Sequence, residues 1–157
     1  MTKRTIISLC YLLLAGFLPA ANLRIHHLYV GQGDGTLIVS PTGLKVLIDA
    51  GNTGFGSGTV RPYLAGLGIG ALDLVIASHY HADHIGGLDE VLNGLGAAFI
   101  GDVYDRGTGA PLPTTGTYND YAAAAAAAGR FTLGLGHVLD LGGGVPLPCL
   151  AVDGSVL

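Results

Sequence analysis

Aliphatic and β-branched runs alternate with glycine-rich breaks along most of the chain, and their spacing predicts the elements. LRIHHLYV (23–30) predicts a strand and GQGDG (31–35) a turn. TLIVS (36–40) and LKVLIDA (44–50) flank PTG, the pattern of a hairpin. TVRPYLAGLG (59–68) predicts a short helix, with Pro62 in its first turn and Gly68 ending it. LDLVIASH (72–79) is a short apolar run expected to be a buried strand. In GGLDEVLNGLG (86–96), Leu88, Val91, Leu92 and Leu95 recur at helical intervals. AAFIGDVYD (97–105) predicts the next strand, and TYNDYAAAAAAAG (117–129) a helix capped by Asn119 or Asp120. RFTLGL, HVLDLGGG and VPLPCLAV complete the pattern as β-hairpin material up to residue 152. Strands alternating with helices after a β-meander imply an α/β (α+β) sheet with helices on at least one face.

The first residues break this pattern. Lys3 and Arg4 precede the apolar run IISLCYLLLAGFL (6–18), and small residues Ala20 and Ala21 follow. That order reads as a signal peptide over residues 1–21, which places the remainder, 22–157, in a secreted or periplasmic location. The run falls short of the roughly 20 apolar residues a membrane span needs, so no stable span is expected after cleavage. Of seven basic residues, losing Lys3 and Arg4 leaves five against eleven acidic ones, a net charge of −6. Such a surface carries no strong nucleic-acid-binding signature. Cys149 is then the sole cysteine, expected as a small core residue, and no internal disulfide can form. The 157 residues, half of them apolar and 11% charged, suffice for one modest core.

SHYHADHIGGL (78–88) holds three of the chain's six histidines within six positions. Imidazole and carboxylate are ligands for zinc and similar ions. Residues two apart in an extended segment point the same way, so His79 and His81 can grip one ion. Asp83 and His84 turn away as a helix begins and can hold a second ion, roughly 3.5–4 Å from the first in two-metal hydrolytic sites. Gly86 and Gly87 let the backbone pass beneath. The loop leaves the C-terminal end of its strand, where open α/β sheets build their sites. His26 and His27 lie in a strand, the ordinary setting of a structural histidine; His137 is either a distant ligand or an edge-turn residue.

HYHADH (79–84) matches the HxHxDH signature, and the chain resembles the metallo-β-lactamase superfamily. HHLYVGQGDGTLIV, VLIDAG, VYDRG and LDLGGGVPL extend the likeness, from about residue 23 to 152, toward its ComEC-like secreted branch. The resemblance implies an αββα sandwich, of which this chain supplies the first half or more. It also implies a hydrolase working with one or two divalent ions, zinc or alternatively manganese. By position, His79, His81, Asp83 and His84 would be the metal ligands, with Asp83 also contacting the attacking water as the catalytic carboxylate. Asp49, ending VLIDAG, matches the acidic residue that supports the loop behind the ligands, although a strand-terminal turn would also use an aspartate there. Asp34 stands open in the same way, between the rim of the site and a turn.

The family's later ligands, a bridging aspartate and a further histidine, have no counterpart after LDLGGG, and Asp153 sits in a turn-like DGS. The metallo-β-lactamase-like domain over 22–157 is therefore expected to be incomplete. Two functions follow: metal-dependent hydrolysis of a small-molecule or phosphoester substrate, or a non-catalytic metal-binding module or inactive fragment. Arg106, in YDRG, could meet a phosphate or be an ordinary surface arginine.

Overall fold

A computed structural model describes residues 22–109, 111–153 and 155–157; the expected signal peptide lies outside them. Strands β1 (Arg24–His27), β2 (Thr36–Val39) and β3 (Lys45–Ile48) form an antiparallel meander. A π-helical turn over Gly56–Val60 runs into α1 (Arg61–Gly66), which leads to β4 (Leu72–Ile76). After the histidine loop come α2 (Ala82–Ile85) and α3 (Leu88–Leu95), then β5 (Ile100–Asp105), α4 (Gly116–Ala128) and β6 (Arg130–Thr132). The six strands make one sheet in sequence order, antiparallel up to β3 and parallel from β3 to β6. Two hairpins follow: β7 (Val138–Asp140) with β8 (Pro146–Pro148), and β9 (Ala151–Val152) with β10 (Ser155–Val156). The result is a mixed α/β fold on a central sheet.

Period-two alternation sorts the side chains onto two faces. Leu37, Leu47, Val75 and Val103 lie in register across four strands, each fully buried. They meet the helices through Leu64, Leu88, Val91 and Tyr121. On the opposite face Val46 pairs with Leu74, and Ile48, Ile76 and Tyr104 align beside them. This row packs against Leu139 and Leu141 of the β7–β8 segment, so a hairpin, not a helix, covers that side. No helix among the described residues is long and apolar enough to cross a membrane.

Four local expectations need correction. The first strand is shorter than 23–30, and residues Ala97–Phe99 form a 3-10 turn ahead of β5. The alanine-rich helix is capped by Thr115, whose Oγ1 accepts from the Tyr118 N–H at 3.2 Å, and not by Asn119 or Asp120. Thr115 has the extended backbone a cap requires, whereas Asn119 and Asp120 are inside the first turns. The RFTLGL segment supplies no hairpin arm: its β6 lies parallel to β5 as an edge strand.

Leu47→Ala should lower stability by about 2–5 kcal/mol, the usual cost of emptying a packed leucine site. Urea unfolding should show a lower midpoint with an unchanged slope.

Candidate metal centre

Because β3, β4 and β5 run parallel, the residues that follow them emerge at one edge of the sheet. The chain leaves β4 in extended form. Alternation sends Tyr80 inward, 6% exposed, while His79 stays half-buried and His81 is exposed at the start of α2. The His79 ring centroid lies 4.6 Å from that of His81 and 4.0 Å from that of His84. The structure thus gathers three imidazoles from one loop. Asp83 stands beside them in α2, its Oδ2 accepting from Gln32 Nε2 at 3.2 Å.

Asp49, 1% exposed, follows β3 with a left-handed φ of 56°. Its Oδ1 accepts from the Ser78 N–H at 2.8 Å, and its Oδ2 accepts from Ser78 Oγ at 2.5 Å and His84 Nδ1 at 2.7 Å. These contacts determine tautomers. A carboxylate only accepts, so the proton at that His84 contact is on Nδ1 and the lone pair of the neutral ring is on Nε2. Ser78 Oγ gives its single proton to Asp49 and therefore accepts at its 3.1 Å contact with His79 Nδ1. His79 is left with a bare Nε2 as well. Burial, then the neighbouring His84 and His81, lower the His79 pKa, which favours the uncharged, ligating form. Desolvation pulls the Asp83 carboxyl up. Its own backbone N–H, Gln32, His84 and His81 outweigh this and hold it below the usual range.

This donor set of imidazole nitrogens and an ionised carboxylate suits a divalent ion such as zinc. Among the described residues, however, no group of three or more His, Cys, Asp or Glu side chains is closed into a finished metal cage. The ligand types are adjacent but not yet converged on one centre.

Residues 28–144 match the family model described as the metallo-beta-lactamase superfamily. The chain belongs to that superfamily. Its members generally are hydrolases that bind divalent metals, often zinc. A curated relative, the anti-Pycsar protein Apyc1 of Saccharibacillus brassicae, is 40% identical over 53 residues, 34% of this chain and 20% of that protein. A solved Cronobacter sakazakii structure, described as a metallo-beta-lactamase with the HARLDQ motif, is similar with a TM-score of 0.49 and 20% identity. That match covers 74% of this chain and 48% of the other. The chain therefore spans about a fifth of the curated relative and about half of the solved one.

In this superfamily member a cleft of about 770 Å³ opens beside His79. Ala77 and Ser78 line one wall, and Cys149, Ala151 and Val152 the other. Cys149 is thus half-buried on a cleft wall and not in the core. Arg106 borders the cleft with three hydrogen bonds: Nη1 to Gly109 O and Asp153 Oδ1, both at 3.3 Å, and Nη2 to Pro111 O at 2.7 Å. It is not an exposed surface residue, its side chain being 17% accessible.

The other sequence candidates lie elsewhere. Asp34 accepts from the Gly35 N–H at 2.8 Å and serves its own turn. His26 Nδ1 meets Tyr63 Oη at 2.8 Å, and His27 Nδ1 is 3.4 Å from Thr36 Oγ1. His137 is exposed and sets its ring against Tyr104, with centroids 6.0 Å apart. Sequence reasoning missed Ser78 and Gln32. Nothing in the spacing marks Ser78, but Gln32 stands in the GQGDG turn, whose Gly33 packs so closely that a Cβ there would overlap the Asp83 carbonyl.

Asp49→Asn should destabilise the fold by about 1–3 kcal/mol, the cost of a buried donor left unpaired, because one amide oxygen cannot serve three donors. Urea unfolding of the metal-free protein measures it. An unchanged midpoint would show that the carboxylate does not hold the loop.

Proposed function

We propose that this chain carries the histidine-loop half of a metal-dependent hydrolase acting on phosphate esters or phosphodiesters. The observation that supports this most is the pair of fixed tautomers. Ser78 and Asp49 occupy the Nδ1 atoms of His79 and His84 respectively, which leaves both Nε2 lone pairs for a ligand, that of His79 beside the cleft. His79 and His81 would hold one divalent ion, zinc or manganese, and Asp83 with His84 a second. A bound ion supplies a water of pKa near 7 and offsets the negative charge that develops during attack.

The chain's own residues do the remaining work. Ionised Asp83, steadied by Gln32, offers an acceptor to the attacking water. Burial favours the neutral form of His79, and the contacts to Ser78 and Asp49 orient His79 and His84. Ala77, Ala151 and Val152 give the cleft an apolar lining for part of a small substrate. What supports phosphoester chemistry is the likeness of HHLYVGQGDGTLIV and the histidine loop to the ComEC-like branch. Secretion is proposed on the basic and apolar order of residues 1–21.

A second reading, a metal-binding module without turnover, draws on a separate fact: the donors of the described residues do not form a closed cage. Elemental analysis and turnover separate the two. With added zinc or manganese the chain should hydrolyse bis-nitrophenyl phosphate in preference to nitrocefin. Replacing His81 and His84 together by alanine should abolish metal uptake and cut the rate by about 100-fold or more, beyond what losing an outer partner of a metal site costs. Metal uptake with no hydrolysis of either compound would favour the binding module. Uptake unchanged by the double substitution would overturn both readings.

A further inference from the structure

Tyr80 stands between two candidate ligands, yet its side chain is turned into the protein. Its hydroxyl donates to Gly107 O at 2.7 Å and accepts from Arg130 Nη2 at 2.9 Å. Arg130 Nε in turn donates to Asp105 Oδ2 at 2.7 Å, and Tyr121 Oη donates to the same oxygen at 2.7 Å. The other carboxylate oxygen accepts from the Gly107 N–H at 2.8 Å. Asp105 is 1% exposed, so this is a buried network in which each charged group has its partners. The Tyr80 ring is enclosed as well: the Arg106 guanidinium lies 4.6 Å from its centroid and the Tyr118 ring 4.9 Å away.

Such an arrangement exceeds what packing a tyrosine requires. A phenylalanine would fill the same space between Arg106 and Tyr118. The hydroxyl adds a link from the loop to the ends of β5 and β6, so the backbone of residues 79–81 cannot shift without breaking it. The two flanking histidines must then leave the loop on the opposite side. We propose that Tyr80, tied through Arg130 to Asp105, is a positioning residue for divalent-cation capture by His79 and His81. This rests on the metal-site reading above. Tyr80 touches neither ion nor substrate; it holds the distance and direction from which the two imidazoles approach.

The test is titration of the full chain with cobalt(II) chloride alone, read by the visible d–d bands, together with thermal unfolding of the metal-free protein. Tyr80→Phe should weaken cobalt affinity about tenfold and shift the bands, the lower end of the roughly 10–100-fold cost of losing a group bonded directly to a ligand, because Tyr80 acts through the backbone. Arg130→Lys, which keeps the charge but loses the fork that reaches Tyr80 and Asp105 together, should change both readouts in the same direction. Tyr63→Phe removes a comparable hydroxyl, bonded to His26 far along the chain, and should leave cobalt affinity within about twofold. Should Tyr80→Phe fail to fold, Arg130→Lys carries the comparison. Unfolding at lower temperature with cobalt affinity and bands unchanged would make the network purely structural and overturn the proposal. Failure of the unsubstituted chain to bind cobalt would instead overturn the metal-site reading beneath it.

Discussion

A single buried carboxylate, Asp49, governs the histidine loop. Taking a carboxylate out of water costs several kcal/mol unless donors replace its hydration. A non-glycine residue at positive φ adds about 1–3 kcal/mol of backbone strain, though aspartate tolerates that conformation better than most residues. The chain meets both costs at one point with three donors, two from Ser78 and one from His84. Those donors belong to the neighbouring strand's loop, so satisfying Asp49 and shaping the loop are one event. The backbone adds its own tie, with the Ala50 N–H donating to His84 O at 2.9 Å.

Asp105 plays a matching part on the other side. β4 lies between β3 and β5, and each neighbour ends near a buried aspartate. Asp49 reaches the loop directly, through Ser78 and His84. Asp105 reaches it through Arg130 and then Tyr80. The loop is therefore held from both flanks, by groups that only a parallel arrangement of β3, β4 and β5 brings to one edge. Close backbone approach completes the support: a Cβ on Gly87 would collide with the Ala50 carbonyl and the Gly56 amide. Glycine is needed there because the backbone, not a side chain, makes the contact.

How much of this the sequence could reveal depends on the range of each interaction. The hairpin over 36–48 and the helix over 88–95 were legible because their periodicity reports a locally decided burial. The clustering of His79, His81, Asp83 and His84 was legible because all four lie within six positions. The parallel placement of β6 was not, since edge pairing with a strand 25 or more residues earlier leaves no local trace. The same holds for Tyr80, Asp105 and Arg130: they lie 25 or more positions apart in three separate segments, and only the fold brings them together. Cys149 misled for a related reason. A small apolar residue is usually core, but the core on that face is already filled by Leu139 and Leu141.

The low charge content of the chain acquires a physical meaning at this edge. Three imidazoles with centroids 4.0 and 4.6 Å apart cannot all be protonated without mutual repulsion, and burial adds to the penalty at His79. Basic side chains nearby would add to that field, yet both arginines of this region are committed elsewhere. Arg130 is bound to Asp105, and Arg106 is bound to Asp153 while lying over Tyr80. Buried Asp49 and ionised Asp83 leave the cluster with negative charge, and neither of these two arginines is placed to neutralise it. An arrangement that withholds its own cations from a group of donors is one whose electrostatics favour a cation from solution, and this links the packing of the sheet edge to the chemistry proposed for it.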